Sequence, residues 1–157
     1  MIEMKVNGLA IDSTTRMPVV ILTDKDEKRF LPIWIGVYEA DAILVALEHI
    51  DVPRPMTHDL IKGIVSALDV TAERVVIHDI KKNTFFARVL LKKGKENFEV
   101  DSRPSDAIAL ALRLNAPIFV TENVIMEATI MDKEKAAREM EEFKDFLKDV
   151  KPEDFLK

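Results

Sequence analysis

The chain has 157 residues, 48% hydrophobic and 32% charged, a balance that excludes a disordered body and gives a single domain enough apolar surface for its own core. The absence of cysteine excludes disulfides, thiolate metal sites and cysteine nucleophiles, so any chemistry falls to carboxylates, three histidines, hydroxyls and basic groups. A formal net charge of -5 argues against coating nucleic acid by electrostatics alone. With no run near the ~20 apolar residues of a membrane span and no leader-like pattern at Met1 to Lys5, a soluble, cytoplasmic protein is expected.

Ile2 to Ile11, Pro18 to Thr23 and Arg29 to Ile35 are short runs rich in Val, Ile and Leu, separated by polar clusters, and read as three hairpin-linked strands. From Gly36 the apolar period changes. Ala40, Ile43, Leu44, Leu47 and Ile50 predict a helix with one buried face, ended by Val52-Pro53-Arg54-Pro55. Thr57 is placed to cap a second helix through Leu68, with Leu60, Ile61, Ile64, Val65 and Leu68 as its buried stripe. Arg74 to Ile80, Thr84 to Leu91 and Asn97 to Asp101 then predict three more strands, and Pro104 to Leu114 a third helix. That helix is apolar on nearly every side, which predicts a central helix or one in a homo-oligomer interface.

Setting Asp41 against Asp106 aligns Asp41 to Leu47 with Asp106 to Leu112 at an offset of 65. The expectation is an α+β fold of duplicated β-β-β-α units with mainly antiparallel strands. It covers residues 1-121, in halves of about 1-68 and 70-121, with Asp41 and Asp106 converging across a pseudo-twofold axis. Ile118 to Thr121 adds a short strand. Residues 122-157 form a C-terminal extension of the same domain, in which Asp132 to Val150 is an amphipathic helix with the stripe Ala136, Met140, Phe143, Leu147 and Val150.

Lys81 to Lys95 is the one strongly basic stretch. It either tracks a phosphate backbone or, as the strand pattern favours, divides its charges between the two ends of one strand. Trp34, between Ile33 and Ile35, points to the opposite face of its strand and is expected to pack there as core. His49 and His78 are read as structural.

Polar residues concentrate where the helices begin: Glu39 and Asp41, then Arg54 to Asp59, then Asp101 to Asp106. Acids in a first turn suit the helix dipole, so capping is one reading. The other is chemical, since a hard divalent cation needs only one or two carboxylates, and an arginine can clamp phosphate bidentately. His58 is the best-placed histidine for acid-base work.

The strings Leu31-Pro32-Ile33-Trp34-Ile35-Gly36 with Glu39-Ala40, Arg54-Pro55-Met56-Thr57-His58-Asp59-Leu60, and Asp101-Ser102-Arg103-Pro104-Ser105-Asp106 resemble the bifunctional nuclease family, long catalogued as a domain of unknown function. The resemblance runs in order to about Val120, and Val150 to Phe155 is similar to the tail of bacterial members. It implies DNase and RNase activity assisted by a divalent metal. Carried over, the motif residues are Glu39, Arg54, Thr57, His58, Asp59, Asp101, Ser102, Arg103, Ser105 and Asp106, all intact here. The expected assignment has Asp59, Asp101 and Asp106 holding Mg or Mn, and His58 or Glu39 moving protons. Arg54, Arg103 and Ser105 bind a DNA or RNA substrate. The rival is a non-catalytic oligomeric scaffold that binds a ligand or protein, its motif residues serving as caps and ion pairs.

Overall fold

A computed structural model describes residues 1–149. Its elements run β1 (Ile2–Ile11), β2 (Pro18–Asp24), β3 (Phe30–Trp34), α1 (Val37–Leu47), α2 (Thr57–Ala67), β4 (Thr71–Lys81), β5 (Thr84–Lys93), β6 (Glu96–Ser102), α3 (Pro104–Leu114), β7 (Ile118–Val120) and α4 (Glu122–Asp149). The chain divides into two units, Met1–Ile125 and Met126–Lys157. The fold is α+β, as expected. Val150 and the tail through Phe155 lie outside the described residues, as does the side chain of Ala136.

The seven strands form one sheet in the order β3-β2-β1-β7-β4-β5-β6. Each run of three strands is an antiparallel meander, and β7 sits between the two, antiparallel to β1 and parallel to β4. This placement follows from composition. Ile118 and Val120 are buried on one face of the strand and Phe119 is half-buried on the other, as suits a strand in the middle of the sheet.

Helix α3 is the hub of the core. It packs against α1, α2, β4 and β5, and Pro104, Ser105 and Ala107 to Ala111 are all buried. Three alanines, Ala107, Ala109 and Ala111, let neighbouring backbones approach closely. Pro104 at the first turn starts the helix without losing a needed N–H, and Asn115 in the left-handed region ends it. The all-round apolar character is therefore satisfied inside one chain.

Several sequence expectations are corrected. On α1 only Ala40, Ala42 and Ile43 are buried, while Leu44 is exposed within the helix and Ile50 is exposed beyond its end at Leu47. Helix α2 buries only His58, and Leu60, Ile64 and Leu68 of its apolar stripe are half exposed. Its N-cap is Met56, with Thr57 already helical. Trp34 does point away from Ile33 and Ile35, but it is 42% exposed and its indole N–H donates to Asp12 at 2.8 Å. Helix α4 begins ten residues before the predicted Asp132, and Met140, Phe143 and Leu147 are exposed. The lysines of the basic stretch fall on either side of β5, Lys81 closing β4 and Lys92, Lys93 and Lys95 at the far end, with Arg88 mid-strand; Lys81, Arg88 and Lys92 face Asp79, Glu99 and Glu73 at 3.4 to 3.9 Å.

A contrast in stability tests which stripe is core. Ile108→Ala is expected to cost about 2–5 kcal/mol, because the side chain is fully enclosed. Ile64→Ala, on the open face of α2, is expected to cost under about 1 kcal/mol. Urea denaturation of both variants at one low protein concentration provides the comparison.

Candidate functional site

Helices α1, α2 and α3 each carry a carboxylate at the third helical position: Glu39, Asp59 and Asp106. That position lets the acid meet the positive end of the helix and fold back over the residue that caps it. Glu39 lies over Gly36, closely enough that a Cβ there would overlap its Oε2. Asp59 Oδ2 accepts the Met56 amide at 2.9 Å. Asp106 Oδ2 accepts Arg103 Nε at 2.9 Å.

From these helix starts the chain assembles one connected polar cluster. Arg103, 64% exposed, donates through Nε to Asp106 and through Nη1 to Glu39 at 3.0 Å. His58 Nε2 lies 3.0 Å from Asp106 Oδ1. A carboxylate only accepts, so Nε2 carries a proton, and in the neutral form of the ring Nδ1 is the basic nitrogen. Two of the five guanidinium N–H donors of Arg103 serve the carboxylates, leaving donor capacity on an exposed group. The cluster therefore unites an imidazole oriented by a carboxylate, a second carboxylate, and a cation facing solvent.

Burial opposes the charge of Asp106, but the hydrogen bonds from Arg103 and His58 prevail and hold its carboxyl below the ordinary range. Arg103 is held above its usual value by its hydrogen bond to Asp106 and then by that to Glu39. Asp59 is lowered first by the Met56 amide and then by Arg113.

The remaining sequence-selected residues are distributed otherwise. Asp59 faces a second ion pair, in which Arg113 Nε donates to Oδ1 at 2.8 Å while Arg113 Nη1 donates to the Ala109 carbonyl. Asp101 is exposed on β6 opposite Arg88, Arg54 is exposed in the α1–α2 loop, and Ser105 is buried in the first turn of α3. Asp41 is exposed and is not a partner of Asp106. Two residues beyond Glu39 on a helix is about 200° of rotation, so Glu39 rather than Asp41 reaches the cluster.

Among the described residues no group of three or more His, Asp or Glu side chains is arranged to hold a metal ion. Asp59, Asp101 and Asp106 do not fit a shared Mg or Mn ion as they stand, since both oxygens of Asp59 and of Asp106 accept protein donors and Asp101 belongs to neither pair. One contributor is absent from the sequence reading: Arg113 is the lone charge late in an apolar helix, which itself demands a partner. Gly36, already part of the first motif string, is the one residue type that leaves room for Glu39 at this helix start.

The fold and cluster define an α+β protein whose polar site is built from helix N-termini around a central buried helix. The chain belongs to the bifunctional nuclease family: the bifunctional nuclease domain matches residues 20–133, which include the whole cluster. It is 38% identical to an uncharacterized protein of Mycobacterium tuberculosis (strain H37Rv), over 98% of this chain and 97% of that protein. It is 27% identical to Bifunctional nuclease 1 of Oryza sativa subsp. indica, over 72% of this chain and 35% of the rice protein. With Bifunctional nuclease 2 of Oryza sativa subsp. japonica the identity is 25%, over 82% and 41% respectively. No helix among the described residues is long and apolar enough to cross a membrane.

The lowered carboxylates set an acid limb. Groups whose carboxyls are depressed in the folded state contribute stability that is complete above the unfolded value near 3.8 and is lost as pH falls below it through their folded values. Thermal midpoints measured from pH 7 to pH 2 should therefore drop below about pH 4. The drop should be shallower in Asp59→Asn, because that variant has no carboxylate to protonate there.

Proposed function

We propose that the chain hydrolyses phosphodiester bonds in DNA or RNA at the cluster Glu39, His58, Arg103 and Asp106. The observation that carries this reading is the unbroken path from imidazole to carboxylate to exposed guanidinium, in a chain of the bifunctional nuclease family. His58 Nδ1 accepts the proton of the attacking water as its oxygen bonds to phosphorus, and the P–O bond to one sugar breaks, the departing oxygen taking a proton from solvent. Asp106 fixes the tautomer and stabilises the imidazolium that forms. Arg103 holds the phosphate through its remaining N–H groups and meets the charge that grows on the phosphoryl oxygens. Glu39 holds Arg103 in place.

One observation favours the rival, a non-catalytic ligand- or protein-binding scaffold. All four oxygens of Asp59 and Asp106 are engaged within the chain, as in a structural network. We further propose that the chain self-associates through α2. Leu60, Ile64 and Leu68 recur every four residues on its open face, and such a row meets its own copy across a twofold axis with apolar surface on both sides.

Labelled single-stranded DNA and RNA, incubated with purified protein plus Mg, plus Mn or plus chelator, test the main reading. Cleavage should fall about 100-fold or more in Asp106→Asn with the fold intact by circular dichroism. Gly36→Ala should also lose rate, because its Cβ displaces the flexible Glu39 carboxylate and leaves the core alone. Equal rates in wild type and Asp106→Asn would remove the cluster from the chemistry, and no cleavage in any metal arm would favour the scaffold. In sedimentation velocity, Leu60→Glu should shift an oligomer to monomer.

A further inference from the structure

Beside the cluster lies a cleft of about 350 Å³, within the range of small-molecule sites, whose lining includes Glu39 and Arg103 of the cluster together with Trp34, Asn83, Thr84 and Phe85. The strands that contribute these residues are far apart in the sheet order. β3 and β5 are separated by five strand steps, about 24 Å in a flat sheet at ~4.8 Å per step, so the sheet curls to bring them to one cavity. The cleft is thus where the two meanders meet at the start of α3.

We propose that this cleft is a nucleobase subsite, in which one unstacked base lies against Trp34 and Phe85 while its phosphate is held by Arg103; the inference rests on the nuclease reading and deepens it. Four observations converge. Trp34 stands 42% exposed between Ile33 and Ile35, which are 3% and 7% exposed, so its strand position brings part of a large aromatic ring to the surface. Its indole N–H is tied to Asp12, which fixes the ring's orientation in advance of any ligand. Phe85 comes from the opposite meander and supplies a second aromatic surface, while Asn83 and Thr84 set an amide and a hydroxyl on the rim, suited to a base edge. The cation in the lining is the one assigned to phosphate.

Charge elsewhere supports the same division of labour. The lysines of the basic stretch are split between the two ends of β5, and Lys81, Arg88 and Lys92 each face an acid, which breaks the stretch as a cationic track. A protein of net charge -5 that handles a polyanion must draw affinity from something other than many phosphate contacts, and stacking on aromatic rings supplies it for any base.

Trp34 is the single tryptophan of the chain, so its fluorescence reports the cleft directly. The probe is thymidine 3′,5′-bisphosphate, which has no internucleotide bond to cleave, compared with deoxyribose 3,5-bisphosphate of the same charge. The nucleotide should quench Trp34 saturably and bind at least about 10-fold more tightly, by calorimetry, than the sugar bisphosphate. Phe85→Leu keeps apolar volume and Trp34 but removes the ring. It should weaken nucleotide binding about 10-fold and leave sugar bisphosphate binding unchanged. Equal affinity for the two probes, binding without quenching, or no binding of the nucleotide overturns the subsite. Quenching with base discrimination in a protein that cleaves no polymer leaves the subsite standing and the nuclease reading fallen. Cleavage without base discrimination does the reverse.

Discussion

A helix buried on nearly every side can carry charge only where a partner reaches it, and α3 carries two such charges, Asp106 in its first turn and Arg113 in its last. Arg113 is nearly enclosed, with its side chain 6% exposed, so leaving it unpaired would be costly. Both partners come from adjacent residues of α2, His58 for Asp106 and Asp59 for Arg113. Seven residues of helix span about 10.5 Å, and consecutive side chains on α2 diverge by about 100°. The start of α2 therefore straddles the side of α3 and is held at both flanks.

This polar clasp explains why α2 is present in the fold at all. Leu60, Ile64 and Leu68 of its apolar stripe face outward, Ile61 and Val65 are half-buried, and His58 is its one buried residue. Hydrogen bonds added to so modest a hydrophobic contact fix orientation closely, because each bond has a narrow angular range. The bond that docks the helix is thus the same one that sets the His58 tautomer. Positioning the imidazole and stabilising the fold are a single interaction in this protein.

The sequence made the fold largely legible wherever one face was simply buried. The limits of α3 are readable because Pro104 and Asn115 bracket a run that is apolar without a break from Ala107 to Leu112, and the two meanders because their turns are polar. The stripe of α2 misled for a physical reason: periodicity shows that a face is apolar, not that the same chain covers it. Trp34 misled similarly, since alternation gives the direction of a side chain but not what lies there. At the site, the polar strings identified every member of the cluster, because carboxylates and capping residues gather at helix starts. What they could not give was the pairing. Glu39 and Arg103 are 64 residues apart and meet only through packing of α1 on α3. Asp59, next to His58, is drawn to the other end of α3 by Arg113.

The charge of the cluster links this architecture to the proposed chemistry. With a neutral imidazole, Glu39, Asp106 and Arg103 sum to one negative charge, and a proton gained by His58 brings the sum to zero. In the proposed reaction that proton leaves the nucleophile as negative charge builds on the phosphate beside Arg103, so the protein's own negative charge disappears as the substrate's grows. An arginine surrounded by acids is often read as structurally spent. Here its exposed N–H groups make it the contact through which a phosphate can enter an acidic site, and the two carboxylates keep its fork aimed while it does so. A lysine at this position would hold one carboxylate as a point charge and lose the planar geometry that serves both at once.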